Sequence, residues 1–315
     1  MSEICVIGGS RYFGKRLIEQ LHAAGHQVSV VNRGSTTPPS GVTHLVADRN
    51  DEAALAAALG SRTFDVVVDQ VCYTPLQAAI AARVFGGRAG RYVMTSTIEV
   101  YDPATLTEPA AAGAVRLAAP GEPVREPVPE TVVDPEVWPV RLELPWGDDD
   151  FLEAHYAEGK RQSEAVFARE SGLPFVSVRS THVLGGGAEE FTGRLDHYVQ
   201  RILKGEEIAV HAETVPTVFT HHQEIADVLR WAAEAEFTGP VNACSHGPLE
   251  VRELCRLIAG QAGREPVYRI DADNASPFSY DRHYAMSNSR AEELGFSFSH
   301  TADWLPGAVA EALAA

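Results

Sequence analysis

The stretch ICVIGGSRYFGKRLIEQLHAAGHQVSVVN, residues 4–32, decides the fold. ICVIGG (4–9) is a short, nearly continuous apolar run closed by glycines, the pattern of a strand buried on both faces of a parallel sheet. In the residues that follow, Leu17, Ile18, Leu21 and Ala24 recur at helical spacing, and QVSVVN (27–32) returns to a strand pattern. The unit is strand, helix, strand. Gly8, Gly9 and Gly14 sit between its first two elements, where bare backbone can approach a pyrophosphate and a helix N-terminus offers free N–H groups. A tight turn alone also favours glycine, so the position of the three within this unit carries the reading.

Outward from that unit the alternation continues. HLVAD (44–48), FDVVVDQ (64–70), RYVMTS (91–96) and FVSVRS (175–180) read as strands, and 51–59, 75–85 and 151–170 as helices. This predicts an α/β architecture, a doubly wound parallel sheet with right-handed crossovers, over residues 1–180. Residues 102–150 break the rhythm with 9 of the chain's 19 prolines, and with 11 acids against 3 arginines. A loop of this length inside a compact domain is a lid, a substrate loop or a disordered insertion. Beyond residue 180 the elements shorten, with helices expected at 192–204, 223–236, 248–262 and 302–314. Residues 181–315 are therefore expected to form a smaller substrate-binding lobe, with a segment near 215–236 returning to the first domain.

Composition bounds the function. With 315 residues, 45% apolar and 22% charged, the chain can bury a sizeable core and has the composition of a soluble protein. No apolar run is long enough to span a bilayer and the N-terminus shows no leader pattern. Cys5, Cys72, Cys244 and Cys255 have no metal-ligand or disulfide spacing. The expectation is a cytoplasmic protein with no membrane partner. A net charge of −17 argues against broad contact with a phosphate backbone, so a small-molecule substrate is expected rather than nucleic acid. His221 and His222 are adjacent, point to opposite faces if on a strand, and have no third ligand at a supporting spacing, so no metal is expected.

Several residues bear on chemistry. At the end of the second strand an acid normally takes the ribose hydroxyls of a dinucleotide, but this chain has Asn32 and Arg33. Arg33 suits a 2′-phosphate and hence NADP, Asn32 suits a free ribose diol and hence NAD, and a solvated loop arginine is the plain alternative. Asp48 stands where a carboxylate can accept from an adenine amino group. TSTIEVYD (95–102) ends a buried strand in polar residues, among them Thr95, Thr97 and Glu99. Facing it YAEGK (156–160) is expected, with Tyr156 and Lys160 four apart on one helical face. An ammonium beside a phenol favours the phenolate, and a strand-end hydroxyl can steady a substrate oxygen, a set suited to proton transfer.

These motifs together, GGSRYFG, TSTIEVYD, YAEGK, VRSTHVLGG, FTHHQEIADVL and SRAEELGF, make the chain resemble the extended, atypical short-chain dehydrogenase/reductase family of NAD-dependent epimerases and dehydratases over nearly its full length. The resemblance implies a Rossmann domain and a catalytic trio of Thr97, Tyr156 and Lys160. It implies cofactor contacts from Gly8, Gly9, Ser10, Arg11, Gly14, Val71, Asp48, Thr95 and Lys160, and it allows a homodimer. Arg11 replaces the usual middle glycine, as in a GGTRFIG subgroup, and is itself placed to reach a phosphate. Thr217 and Ala275 or Ser276 stand where family members carry the arginines that clamp a sugar-nucleotide diphosphate, leaving Arg194, Arg201 or Arg282 as substitutes. His182 stands where a substrate-binding asparagine is common, with a structural histidine the equal alternative. Thr97 and Glu99 are similar to two members of the Thr-Asp-Glu triplet of dTDP-glucose 4,6-dehydratases, Ile98 replacing the third, so Glu99 is a candidate second base.

Three functions follow from the sequence. The first is a redox-neutral epimerase or dehydratase, retaining NAD, that acts on a sugar or sugar-like polyol, a nucleoside among them. The second is an NADPH-dependent ketoreductase of a small carbonyl compound. The third is a noncatalytic nucleotide- or RNA-binding relative, against which the net charge and the intact trio both count.

Overall fold

The computed structural model describes residues 1–102, 105–106, 126–170, 172–282 and 284–315. In chain order these form β1 (Glu3–Ile7), α1 (Tyr12–Ala23), β2 (Gln27–Asn32), β3 (Thr43–Val46), α2 (Glu52–Leu59), β4 (Val66–Asp69), α3 (Pro75–Phe85) and β5 (Tyr92–Thr97). After a long connection come α4 (Asp149–Ala154), α5 (Tyr156–Glu170), β6 (Phe175–Ser180), β7 (His182–Leu184), α6 (Arg194–Lys204), β8 (Glu207–Val210) and β9 (Phe219–His221). The chain closes with α7 (His222–Glu234), β10 (Gly239–Ala243), α8 (Val251–Ala262), β11 (Val267–Ile270), α9 (Ser289–Glu293) and α10 (Thr301–Ala314).

The described residues fall into two compact units. One draws on residues 1–102, 105–106, 130–170, 172–180 and 226–242, the other on 126–129, 181–225, 243–282 and 284–315. The first is built on a seven-stranded sheet of order β10-β6-β5-β4-β1-β2-β3. The strand order reverses beside β1, which pairs in parallel with both β2 and β4. In such a sheet a ligand lies outside the carboxyl ends at that reversal. The apolar run read from the sequence explains β1: Ile4, Cys5, Val6 and Ile7 are all buried, because helices cover both faces. Leu17, Ile18 and Leu21 form the buried stripe of α1. The core on the α3 and α5 face gathers Cys5, Val67, Phe85, Met94 and Phe167, with the Tyr92 and Phe167 rings stacked 4.2 Å apart.

The second unit holds two small parallel pairs, β7 with β9 and β8 with β11. Helices α6, α8 and α10 enclose its core, with Leu195, Ile202, Leu254, Ile258 and Val309 inside. The sequence did not predict these strands, whose three or four residues are too short for a readable alternation. Nor did it separate α4 from α5. The helical stretch expected over 151–170 breaks at His155, which takes a non-helical backbone as the C-cap of α4.

The long loop read over 102–150, whether lid, substrate loop or disordered insertion, lies in part, over 103–104 and 107–125, outside the described residues. From Glu130 onward the connection is fastened to the first unit. The carbonyls of Glu130 and Val133 accept from Arg179 at 2.9 and 2.7 Å, and the Trp138 indole donates to Glu158 at 3.1 Å. Among the described residues no helix is long and apolar enough to cross a membrane.

Candidate active site

The glycine turn follows directly from β1. Gly8 and Gly9 have φ of +80° and +72°, values that side-chain-bearing residues avoid. Space forbids a side chain as well. A Cβ on Gly8 would come within 2.7 Å of the Val71 side chain, one on Gly9 within 2.4 Å of the Gln70 amide, and one on Gly14 within 2.5 Å of the Gly9 backbone. Helix α1 then starts at Tyr12 with the exposed Arg11 as its N-cap, no side-chain cap and no acid in its first turn. The positive end of the helix is thus left for an anion from elsewhere. Beside it the Gln70 Nε2 is buried with no hydrogen-bond partner, a state that costs free energy unless a ligand completes it.

At the end of β2 the Asn32 amide is fully engaged. Its Nδ2 donates to the Ser10 hydroxyl at 2.8 Å and to the Thr36 carbonyl at 3.0 Å, while its Oδ1 accepts from the Gly34 N–H at 2.7 Å and lies 2.8 Å from the His44 Nε2. Asn32 therefore organises the loop and has little capacity left for a ribose diol. Arg33, next to it, is exposed. Asp48, exposed after β3, accepts from the Asn50 N–H at 2.9 Å and closes a turn. The neighbouring Arg49, which the sequence reading passed over, is buried. It forms an ion pair with Asp69 at 2.7 Å and donates to the Val71 carbonyl at 2.8 Å.

At the carboxyl ends of β4 and β5 the polar strand end meets α5. Lys160 is 2% exposed and its Nζ donates to the Thr95 carbonyl at 2.9 Å. The ammonium lies 4.6 Å from the centre of the Tyr73 ring and 5.8 Å from that of Tyr156, and the two rings are 6.2 Å apart. Burial pushes the Lys160 pKa down to about 8, against the opposing pull of Cys72 and Asp69. The Thr95 Oγ1 is buried with no partner. Thr97 ends β5, and its hydroxyl accepts from the Glu99 N–H at 3.2 Å, capping the one-turn helix Ile98–Tyr101. Glu99 is half-buried in that turn. Helix α5 comes this close because Gly159 has no side chain: a Cβ there would stand 2.4 Å from the Tyr73 carbonyl oxygen.

In the second unit His182 is buried, stacks with the Tyr280 ring and lies 3.2 Å from its hydroxyl. Burial, aided by the charge of Arg194, pushes its pKa down to about 3, so its ring is neutral at physiological pH and suits hydrogen bonding rather than proton supply. Arg194 itself is exposed at the start of α6. Thr217 is fully buried, its hydroxyl donating to the Tyr284 carbonyl at 2.5 Å. Among the described residues no group of three or more histidines, cysteines or acids could hold a metal ion.

The first unit's sheet edge fits a dinucleotide. It combines a glycine cradle without room for a single Cβ, an uncapped helix start, and orphaned buried polar atoms on Gln70 and Thr95, with a buried ammonium beyond them. Gln70, Tyr73, Arg49 and His44 escaped the sequence reading, because each contributes through its place beside another element rather than through a local spacing.

Residues 4–81 match the model of the NAD dependent epimerase/dehydratase family. Over 106 residues, 33% of this chain and 30% of the relative, the chain is 31% identical to a 2'-dehydrokanamycin reductase of Streptomyces kanamyceticus. It is 23% identical to UDP-glucuronic acid decarboxylase 1 of Xenopus tropicalis over 270 residues, 82% of this chain and 61% of that protein. The chain thus spans about a third to three fifths of the length of these relatives. The fold is similar to that of the Bordetella bronchiseptica enzyme WbmH, solved in complex with NAD+, with a TM-score of 0.67, 18% identity, and coverage of 100% of this chain and 98% of that one.

Proposed function

We propose that this chain, whose residues 4–81 match the model of the NAD dependent epimerase/dehydratase family, is a dinucleotide-dependent enzyme acting on a hydroxyl of a sugar or sugar-like substrate. The observation that carries the reading is the buried Lys160 ammonium, fixed on the Thr95 carbonyl with the Tyr156 ring beside it, at the sheet edge that also bears the glycine cradle. Gly8, Gly9, Gly14, Ser10 and Arg11 would hold the pyrophosphate of NAD or NADP, with Gln70 and Val71 beside that turn and Thr95 and Lys160 toward the nicotinamide. That group supplies a hydride acceptor when bound.

The chain's own residues handle the proton. Tyr156 is the base that takes the substrate hydroxyl's proton, and the neighbouring positive charge on Lys160 favours the phenolate this requires. Thr97 already accepts from the Glu99 N–H, which leaves its own hydroxyl hydrogen to donate to the substrate oxygen. Oxidation of the hydroxyl carbon acidifies the adjacent C–H, and Glu99 is the carboxylate placed nearby in sequence to remove that proton, opening epimerisation or elimination. Thr217 offers no cation, being buried and bonded to Tyr284. An uncharged sugar or a nucleoside therefore suits this chain better than the UDP-linked substrate named for the Xenopus relative.

One observation favours a second reading, an NADPH-dependent ketoreductase. Asn32 is engaged within its own loop while Arg33 beside it is exposed, the combination that a 2′-phosphate prefers. Denaturing the purified protein and weighing the released nucleotide separates the two. Retained NAD with no net cofactor turnover supports the redox-neutral enzyme. A preparation without nucleotide that binds and consumes NADPH supports the reductase. In either case Tyr156→Phe should lower turnover by about 10²–10⁴-fold without unfolding the protein, and an active variant would refute the proton-transfer assignment.

A further inference from the structure

We infer that Tyr73 is a positioning residue for this site: its ring face, set against the Lys160 ammonium and beside the Tyr156 ring, keeps the ammonium charged and fixed beside the phenol. The inference rests on the role given to Lys160 above. An ammonium has three hydrogens to donate, and the bond to the Thr95 carbonyl accounts for one. At 4.6 Å the Tyr73 ring centre is inside the range of a cation–π contact, and the contact is stronger here because Lys160 is withdrawn from water.

The ring is held from both sides. The Tyr73 N–H donates to the Gln77 Oε1 at 2.7 Å, and the Gln77 amide in turn donates to Asn50 at 2.9 Å. The Tyr73 carbonyl is the surface against which Gly159 of α5 rests, so the same contact that seats the helix sets the ring against two residues one helical turn apart. Burial, with the charge of Asp69 adding, raises the Tyr73 pKa. The phenol stays neutral, and the ring presents its face rather than a negative charge.

Formal charges share the work with that face. The groups around Lys160 are Asp69 at the end of β4, Cys72 and Tyr73 in the connection to α3, Arg49 after β3, and Tyr156 and Glu164 on α5 itself. Asp69 is paired with Arg49 at 2.7 Å and Glu164 with Arg179 at 2.6 Å. Burial pushes the Cys72 thiol up and holds it neutral. Asp69 and Glu164 favour the charged ammonium although each is paired with an arginine, and the Tyr73 quadrupole and the Thr95 carbonyl add to that pull against desolvation.

The chain has only three lysines, Lys15, Lys160 and Lys204, so their side-chain resonances can be followed one by one in lysine-labelled protein free of nucleotide and substrate. Tyr73→Leu should lower the Lys160 titration midpoint by roughly one pH unit, while Tyr73→Phe should leave it in place. The alkaline limb of kcat/KM should move with it. A midpoint that stays or rises in the Leu variant, or falls as far in the Phe variant, would overturn the inference. Should the Leu variant fail to fold, pentafluorophenylalanine at position 73 keeps the ring shape and reverses its quadrupole. Lys160 must then titrate lower than with phenylalanine. Because the titration needs no turnover, an unmoved midpoint sinks this inference alone, whereas an active Tyr156→Phe enzyme sinks the reaction and leaves the ring's hold on the ammonium standing.

Discussion

Two buried charges on α5, one turn apart, live in opposite surroundings. Glu164 is saturated: Arg179 donates to both of its oxygens, Ser177 adds a bond at 2.6 Å, and the rest of the Arg179 guanidinium is taken by Tyr101 and by the Glu130 and Val133 carbonyls. Burial opposes the Glu164 charge, but Arg179 and these hydrogen bonds outweigh it and hold the carboxyl below its ordinary pKa. Lys160 has a carbonyl and two aromatic rings, and the Thr95 hydroxyl near its anchor has no partner. A closed polar network holds structure, and an unfinished one marks the place where a ligand completes it.

The largest expected effect tests the closed side. Glu164→Ala leaves the Arg179 charge buried without its counter-ion and should lower the unfolding free energy by about 3–5 kcal/mol, read from the denaturation midpoint. A change under about 1 kcal/mol would mean that the network is not what fastens residues 130–133 to the sheet.

Lys160 should respond in the other sense. Its pKa is about 8 when folded and about 10.5 when unfolded, so between these values the unfolded chain binds the extra proton and raising the pH stabilises the native state. The charged form, dominant below pH 8, is the costly one. Relative to Lys160→Met, the natural chain should gain up to about 3 kcal/mol between pH 7.5 and 10.5. Parallel stability curves for the two proteins would show that the ammonium is not desolvated and would erase the contrast with Glu164. Activity should move the opposite way: the proposed mechanism works through the protonated ammonium, so rate is expected to fall as pH rises through about 8.

The smallest effect probes the seat that brings the two surroundings onto one helix. Gly159→Ala places a Cβ 2.4 Å from the Tyr73 carbonyl oxygen, a rigid neighbour, and should cost about 1–3 kcal/mol by overpacking. It should also disturb Lys160 more than Glu164. A variant with full stability and unchanged Lys160 titration would separate helix seating from the site.

Part of the candidate site's geometry was legible because its signals are local. Glycines at a strand-to-helix turn and a tyrosine and lysine four apart are spacings within one element, and the structure brings Lys160 to Thr95 as the pairing of YAEGK with the strand end requires. The burial of α5 was not legible. Lys160, Arg161, Gln162, Ser163 and Glu164 are all buried, although five consecutive polar residues have the composition of a solvated face. They are inside because the strand ends and the 130–146 connection surround them, as when Arg161 donates to the Val100 carbonyl at 2.8 Å and its guanidinium lies 5.3 Å from the Trp138 ring.

The sequence by itself determined the βαβ start, the parallel sheet, the glycine cradle and the one-turn spacing of Tyr156 and Lys160, since periodicity and backbone sterics act between near neighbours. Only the tertiary structure decided which polar groups were closed off and which left open. It withdrew Asn32 into its loop, set Gln70 and Tyr73 against the glycine turn and the ammonium, and paired Arg49 with Asp69. Those outcomes depend on desolvation and on contacts between residues distant in the chain, and neither is written in any local run of residues.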